Sequence, residues 1–191
     1  MREKLVARHA RGASFADVGA MWNVHGAIAF AAEAAGATKV TAVDVMPASP
    51  EFEARQRDSI VRFVHGDLHD PDVMAEVGAH DVVWCSGVLY HAPHPLLTLQ
   101  RLREITGRTL LLATEILPLP GRFAAFAPAR WMHPGKPMPF DAAKGYAPWW
   151  WLPTAGAVRA MLAATGFAVE EEHGGRFQRT FVCCLTENLT G

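Results

Sequence analysis

Cysteine is scarce in this chain, and neither sign of charge is in excess. The 191 residues include three cysteines, none in a Cys-x-x-Cys pair, so we expect neither a disulfide framework nor a zinc knuckle. The formal net charge is −1, so no global basic field is present to attract nucleic acid. These absences favour small substrates over large polyanions. The local exception is a basic start, formed by Arg2, Lys4, Arg8 and Arg11.

Long apolar runs are also absent. Gly, Asp or Arg interrupts each apolar stretch well before the ~20 residues that a bilayer-spanning helix needs. The polar and charged run through Arg11 lacks the apolar centre of a signal peptide. We therefore expect a cytoplasmic protein with no membrane contact. A chain of 191 residues fits one domain, which we expect to cover residues 1–191.

Short β-branched stretches alternate with helix-like stretches through the first 115 residues. This order is typical of the α/β class, in which helices cover a parallel sheet. Apolar residues at helical spacing predict one helix between the first two strands and another after the fourth, where Leu96, Leu99, Leu102 and Ile105 form the stripe. The predicted strands are Ser14–Val18, Lys39–Asp44, Ile60–Val64, Asp81–Ser86 and Thr109–Thr114.

The pattern changes in the last part of the chain. Prolines, glycines and large aromatic residues crowd residues 117–151 without a sustained period, which predicts a long loop or lid. Thr154 predicts the N-cap of a helix that Gly166 ends. The remaining residues predict a hairpin of Phe167–His173 and Arg176–Thr186, joined by a two-glycine turn at Gly174 and Gly175.

The end of the first predicted strand carries a motif for ligand binding. The strand ends in Asp17-Val18-Gly19-Ala20 and runs straight into a helix, so a ligand can approach backbone amides at this turn. Dinucleotide enzymes need three closely set glycines here. Only Gly19 and Gly26 remain, and an acid precedes the first, which argues against a dehydrogenase.

Two further acids close the next two predicted strands. Asp44 ends the second strand, from which a carboxylate can accept hydrogen bonds from both hydroxyls of a ribose. Asp67 follows the third strand and is placed to accept a hydrogen bond from an adenine amine. Each acid singly is also typical of a strand-end or capping residue. Together with Asp17 they predict a nucleoside site along the carboxyl edge of the sheet.

These motifs resemble the class I S-adenosylmethionine-dependent methyltransferases, in order and over about the whole chain. The segment Cys85 to His91, followed by Pro95-Leu96, is similar to the branch that includes the tRNA wobble-uridine carboxymethyltransferase. The resemblance implies a Rossmann-like, doubly wound, mostly parallel seven-stranded sheet with a C-terminal antiparallel hairpin. It also implies S-adenosylmethionine as cofactor and S-adenosylhomocysteine as product. The cofactor-binding residues that it implies are Asp17, Gly19, Ala20, Met21, Asp44, Val45, Asp67, Leu68, Ser86 and Tyr90.

The catalytic candidates lie just after the fourth predicted strand. His91 is placed to act as a general base, and the Tyr90 ring is placed to attract the sulfonium cation. Both side chains also suit purely structural roles. We expect no metal site, because prolines flank His94 and no third ligand follows the His91–His94 pair. The candidates for substrate binding are Tyr146 and Trp149 in the lid and Arg176 on the last strand.

The sequence thus favours methyl transfer to an oxygen or nitrogen of a small-molecule acceptor. Two alternatives remain open. One is RNA modification of the tRNA wobble-uridine type, which needs a basic surface. The other is a partner subunit that binds S-adenosylmethionine without catalysis, because Met21, Trp22 and Asn23 stand where the family often keeps glycines or small residues. An oligomer is possible in each case.

Overall fold

A seven-stranded sheet organises the chain in the computed structural model, which describes residues 1–119, 129–131 and 151–186. The strands are β1 (Ser14–Val18), β2 (Lys39–Asp44), β3 (Val61–His65), β4 (His80–Ser86), β5 (Thr106–Glu115), β6 (Ala129–Trp131), β7 (Trp151–Pro153), β8 (Phe167–Gly174) and β9 (Gln178–Leu185). The helices are α1 (Arg2–Ala10), α2 (Ala27–Ala34), α3 (Pro50–Gln56), α4 (Pro71–Val77), α5 (Pro95–Ile105) and α6 (Ala155–Ala164).

The strand order is β3-β2-β1-β4-β5-β9-β8. Strands β1 to β5 pair in parallel, and β9 runs antiparallel between β5 and β8. The predicted fold class is therefore confirmed. In this arrangement the carboxyl ends of β1 to β5 meet at one edge of the sheet, which is the edge where open α/β sheets bind ligands.

Both faces of the sheet are buried, as expected for parallel strands. Alternate residues of β4 show this: Val83 and Cys85 belong to one apolar cluster, and Val82 and Trp84 belong to the other. Apolar side chains of α4, α5 and α6 pack in the first cluster, and those of α1, α2 and α3 pack in the second. The result is the doubly wound, three-layered arrangement that the alternating sequence predicts.

Local signals explain where several helices begin and end. Proline stands at the start of α3, α4 and α5, where its missing N–H removes no hydrogen bond. The Thr154 hydroxyl accepts a hydrogen bond from the Ala157 amide, so the predicted N-cap of α6 is confirmed. Gly166 follows α6 with a φ of +82°, as predicted for a glycine that ends a helix.

Helix α1 was not expected, because its sequence indicated only a basic start. Three buried apolar residues, Leu5, Val6 and Ala10, fix it on the sheet. Arg8 also donates to Glu171 of β8 at 3.0 Å. This ion pair uses one of the four cations of the basic start within the fold.

The C-terminal hairpin is confirmed, but its turn is longer than predicted. Strand β8 ends at Gly174 and β9 begins at Gln178, so Arg176 lies in the exposed turn and not on the last strand. Gly174 is still paired with Arg179. Its φ of +129° and the 2.4 Å between an added Cβ and the Gln178 oxygen require glycine at this strand end. The two glycines therefore do not form the turn by themselves.

Most of the predicted lid lies outside the described residues. Tyr146 and Trp149 belong to the part of residues 117–151 that the structure does not describe. The described part contains a two-stranded antiparallel ribbon of β6 and β7, whereas we had expected no regular structure. The Leu117 amide donates to the Pro153 carbonyl at 2.8 Å, so the ribbon is joined to the end of β5.

The described residues contain neither a membrane-spanning helix nor a metal-binding group. Within residues 1–119, 129–131 and 151–186, no helix has the length and apolar character needed to cross a membrane. The same ranges contain no group of three His, Cys, Asp or Glu side chains that would hold a metal ion.

A buried histidine at the opposite, amino edge of the sheet affects stability. The His80 ring nitrogens lie 3.0 Å from the Gly78 carbonyl oxygen and 3.0 Å from the Thr41 hydroxyl. Burial lowers the pKa of His80 from 6.5 to about 4. Between these pH values the unfolded chain binds a proton that the folded chain excludes. The stabilising contribution is therefore complete above pH 6.5 and is lost as the pH falls.

We predict that His80→Gln costs less stability at pH 5 than at pH 7.5. The variant lacks the titrating ring, so the difference from wild type should shrink by about 2 kcal/mol between these pH values. Urea unfolding of both proteins at each pH measures this difference. An equal difference at the two pH values would contradict the assignment.

Candidate active site

Backbone hydrogen bonds join the ends of β1, β2 and β3. The Gly19 and Ala20 amides donate to the Val43 carbonyl at 3.0 and 3.4 Å. On the other side, the Gly66 amide donates to the Asp44 carbonyl at 2.9 Å. The three strand ends that carry Asp17, Asp44 and Asp67 therefore lie side by side on the carboxyl edge.

The Asp44 carboxylate holds two loops. Its Oδ2 accepts from the Met21 amide at 2.7 Å, and its Oδ1 accepts from the Met46 amide at 2.9 Å. Burial raises the pKa of Asp44, and these amide hydrogen bonds partly offset that rise. An ionised carboxylate has about four acceptor positions. At least one of these positions therefore remains for a further donor.

Asp17 lies beneath the loop that follows β1. Its side chain is buried, and its Oδ2 accepts from the Ala29 amide at 3.1 Å in the first turn of α2. Burial raises the pKa of Asp17 from 3.8 to about 7, and the nearby charge of Asp44 adds to the rise. In this structure Asp17 fixes the start of α2 relative to β1.

Asp67 is the most exposed of the three acids. Its Oδ1 accepts from the His69 amide at 2.9 Å, and the His69 ring lies 3.6 Å away. The next side chain, Leu68, is buried in the apolar cluster beneath. The segment therefore presents a carboxylate to solvent over an apolar base.

Gly19 brings the loops after β1 and β4 together. Its φ is +83°, and an added Cβ would lie 2.4 Å from the Ser86 carbonyl oxygen and 2.8 Å from Val88. Since the obstructing oxygen is backbone, a side chain at position 19 cannot be accommodated by rotation. The half-buried Ser86 therefore lies next to the glycine turn.

The loop from Met21 to Gly26 keeps a glycine-like backbone without glycines in its middle. Asn23 and His25 have φ values of +51° and +45°, a region in which Asn and His are enriched among residues with side chains. The His25 Nδ1 lies 2.8 Å from the Ser49 hydroxyl. The Met21 side chain is buried in the apolar cluster under α1 and α2, whereas Trp22 is exposed.

Tyr90 and His91 lie in a 3-10 turn, Leu89–His91, that follows β4. Their ring centroids are 4.4 Å apart, and both side chains are half-buried. The Tyr90 hydroxyl lies over Gly87, 3.7 Å from where a Cβ would be. Burial raises the pKa of Tyr90, and the charge of Glu115 contributes to the rise.

Glu115 also lies at this edge and is not among the residues that the sequence indicates. It ends β5, next to the turn that carries Tyr90, and its Oε1 accepts from the Gln178 amide group at 3.3 Å. Burial raises the pKa of Glu115, while the charge of Arg2 lowers it. The sequence signal that could have indicated Glu115 is its position, because it is the first charged residue after the apolar run of β5.

An apolar cleft of about 490 Å³ lies on the other side of this turn. Leu89 at the start of the turn, the first residues of α5, the Trp151 ring and one face of α6 form its walls. The Trp151 indole N–H donates to the Pro93 carbonyl at 3.3 Å. The volume of the cleft lies within the usual range for sites that bind small molecules.

Arg176 extends from the hairpin turn and is exposed. Its guanidinium carbon lies 5.3 Å from the centroid of the Phe177 ring. The turn lies at the carboxyl edge, because the Phe177 carbonyl accepts from the Ile116 amide just after β5. Arg176 is therefore at the predicted edge, although on a different element.

Comparisons with known proteins agree with this architecture. Residues 17–108, just under half of the chain, match a family model described as a methyltransferase domain. No curated protein matches the chain. The match supports the prediction of an S-adenosylmethionine-dependent methyltransferase.

Several solved structures share the fold. Magnesium protoporphyrin IX methyltransferase from Synechocystis PCC 6803, with bound S-adenosylmethionine, has 17% identity and a TM-score of 0.65, covering 97% of this chain and 78% of that one. Burkholderia thailandensis 1,6-didemethyltoxoflavin-N1-methyltransferase has 19% identity and a TM-score of 0.68, covering 97% and 77%. An S-adenosylmethionine-dependent methyltransferase from Mesorhizobium loti has 15% identity and a TM-score of 0.67, covering 96% and 98%. At these identities the likeness concerns the fold.

We predict that Asp17→Asn changes stability in the opposite direction to His80→Gln as pH varies. Because the folded chain raises the pKa of Asp17, the contribution of this carboxyl group is complete below pH 3.8 and is lost as the pH rises through about 7. Relative to wild type, D17N should gain about 2 kcal/mol between pH 5 and pH 8. Urea unfolding at both pH values tests this, and a relative loss would refute it.

Gly26 provides a second test of this site. Both Gly26 and Gly12 have positive φ, but an added Cβ at Gly26 would lie 2.4 Å from the buried Phe52 ring, whereas Gly12 has open space. We expect Gly12→Ala to cost about 1 kcal/mol from the backbone alone. Gly26→Ala should cost about 2–4 kcal/mol, because overpacking adds to that cost. Equal losses in thermal unfolding would show that Phe52 gives way.

Proposed function

We propose that this protein transfers a methyl group from S-adenosylmethionine to an oxygen or nitrogen of a small-molecule acceptor. The observation that carries the proposal is the position of Asp44. Its carboxylate ties the ends of β1 and β2 together at 2.7 and 2.9 Å and keeps an acceptor position at the carboxyl edge. A carboxylate at this place suits hydrogen bonding to a ribose.

The other strand ends suit the remaining parts of the cofactor. The exposed Asp67 carboxylate is available to an adenine amine above the apolar side chain of Leu68. Gly19 and Ala20 offer close backbone approach for the methionine portion, and the half-buried Val45 adjoins the ribose position. Met21 takes part through its backbone, since its side chain is buried elsewhere. Asp17 acts beneath the loop by holding α2.

The cofactor supplies an activated methyl group on a sulfonium, so the chain needs mainly to hold two reactants in line. Ser86 and Tyr90 lie at the β4 end, beyond Gly19, and are assigned to the methyl-bearing end. The half-buried Tyr90 ring offers a face to the sulfonium cation. His91 is assigned as the proton acceptor for the attacking atom.

The acceptor site is assigned to the β5 side of the same edge. The apolar cleft beside Leu89 suits a small acceptor with an apolar body. Arg176 at the hairpin turn is available to an anionic group on such a molecule. Tyr146 and Trp149 remain proposed acceptor contacts that lie outside the described residues. The alternative of RNA modification would have to draw its basic surface from cations other than Arg8, which is paired with Glu171.

We predict that Asp44→Asn raises the Kd for S-adenosylhomocysteine at least ~10-fold, since charge-assisted hydrogen bonds to the ribose are lost. Asp81→Asn is the matched control. The Asp81 carboxylate also joins two strands, accepting from the Ser14 amide at 2.8 Å and its hydroxyl at 2.7 Å, but at the amino edge. Isothermal titration calorimetry should show unchanged affinity for D81N.

Three outcomes would count against the proposal. Absence of S-adenosylhomocysteine binding by the wild type would exclude the cofactor. Equal losses of affinity in D44N and D81N would mean that stability, and not the ribose site, explains the effect. Acceptors that co-purify with the protein can be identified by mass spectrometry. If the protein binds S-adenosylhomocysteine but methylates none of these acceptors, the result would favour the non-catalytic partner subunit.

A further inference from the structure

A second group of polar side chains lies on the carboxyl edge, at the ends of β5 and β9. Glu115 is the last residue of β5, and its partner in the ladder is Gln178, the first residue of β9. Their side chains are joined by the 3.3 Å hydrogen bond from Gln178 to Glu115. Neither residue belongs to the strand ends that carry Asp44 and Asp67, which hold the nucleoside in the proposed function.

The strand register places Glu115 on the same face of the sheet as Ser86. Ser86 pairs with Ala113, and Glu115 lies two residues further along the same strand. Side chains two residues apart in a strand point to the same face. On this face Trp84 precedes Ser86 by two residues, and Leu111 precedes Ala113 by two. The Glu115 carboxyl group therefore extends from the edge beside the end of β4.

The order of the strands then decides what Glu115 faces. In the proposed function the nucleoside occupies the ends of β3 and β2, and the methionine portion occupies the turn between β1 and β4. The methyl group consequently lies toward β4. An acceptor has to approach it from the remaining side of the edge, which is formed by β5 and β9.

We infer that Glu115 is an acceptor-binding residue, held by Gln178, and that the acceptor is a hydrogen-bond donor at its attacking atom: an amine, an aromatic N–H or a hydroxyl. This inference rests on the proposed function and makes it more specific. A carboxylate at this place attracts a proton-bearing or cationic nucleophile and repels an anionic one.

The chemistry balances with this assignment. The lone pair of the attacking nitrogen or oxygen forms the new bond to the methyl carbon while the carbon–sulfur bond breaks. The electron pair of that bond stays on sulfur, which becomes a neutral thioether. The proton released by the acceptor atom passes to the Glu115 carboxylate or, through His91, to solvent.

The surroundings of Glu115 suit this role. Burial raises the pKa of Glu115, which makes the carboxylate a better proton acceptor than a fully exposed one. The groups that influence its charge come from three elements: Arg2 of α1, Gln178 of β9 and Tyr90 after β4. The charge of Arg2 opposes the effect of burial on the pKa of Glu115.

Sinefungin tests the inference without knowledge of the acceptor. This analogue of S-adenosylmethionine carries a protonated amine where the methyl group is attached, so it places a cation at the methyl position. We expect wild type to bind sinefungin and S-adenosylhomocysteine, as measured by isothermal titration calorimetry at pH 7. Glu115→Gln should weaken sinefungin binding ~10-fold and leave S-adenosylhomocysteine binding unchanged, because only sinefungin offers a charged donor to Glu115.

Two further variants sharpen the test. Glu115→Asp keeps the charge and should retain part of the preference for sinefungin. Glu104→Gln removes a carboxylate of α5 that pairs with Arg101 at 3.0 Å, away from the edge, and should change neither affinity.

The outcomes separate this inference from the proposed function. If E115Q leaves both affinities unchanged, or lowers both equally, Glu115 does not face the methyl position and the inference is wrong, while the cofactor assignment stands. If wild type binds neither compound, the proposed function itself fails and the inference fails with it.

Discussion

The arrangement of this site depends on the hydrogen bond from the Met21 amide to the buried Asp44 carboxylate. It joins the loop after β1 to the end of β2 at 2.7 Å and so fixes the position of that loop. Burying a carboxylate is costly unless hydrogen bonds compensate it. The Met21 and Met46 amides supply two, and the proposed ribose would add to them. The cofactor would therefore complete a partly satisfied group, which favours binding at this position.

The two buried titratable groups on neighbouring strands impose opposite constraints. His80 at the amino edge excludes a proton, and Asp17 near the carboxyl edge retains one, because burial disfavours the charged form of each. Their contributions to stability change in opposite directions over the same acidic range. The fold thus tolerates ionisable residues in a sheet with two buried faces by keeping them neutral or hydrogen-bonded.

Most of the sheet was predictable from the sequence, because parallel strands that are buried on both faces consist of short apolar runs. The bounds of β1 and β2 agree with those predicted, and β5 extends further at both ends than its apolar run indicated. Helix α1 was not predictable, since only three of its residues are buried and charges dominate the rest. The predicted position of Arg176 on the last strand was also wrong. The length of the turn depends on the backbone conformation of Gly174, and not on the glycine that follows it.

The sequence indicates candidate residues that can be recognised singly. It does not indicate contacts between residues that lie far apart in the chain. Asp44 at a strand end is visible in the sequence, but its two amide partners are not. The inferred role of Glu115 depends on β9, which inserts beside β5 and brings Gln178 to Glu115 across more than sixty positions of sequence. Such pairings follow from strand order, which composition and periodicity leave open.

The insertion of β9 between β5 and β8 also means that two separate parts of the sequence form the carboxyl edge. One half of the rim, made by β1 to β3, comes from the first 70 residues, and the other half is completed by the last hairpin. In the proposed function, changes in the hairpin would therefore alter which acceptor binds without disturbing the half of the edge that holds the nucleoside.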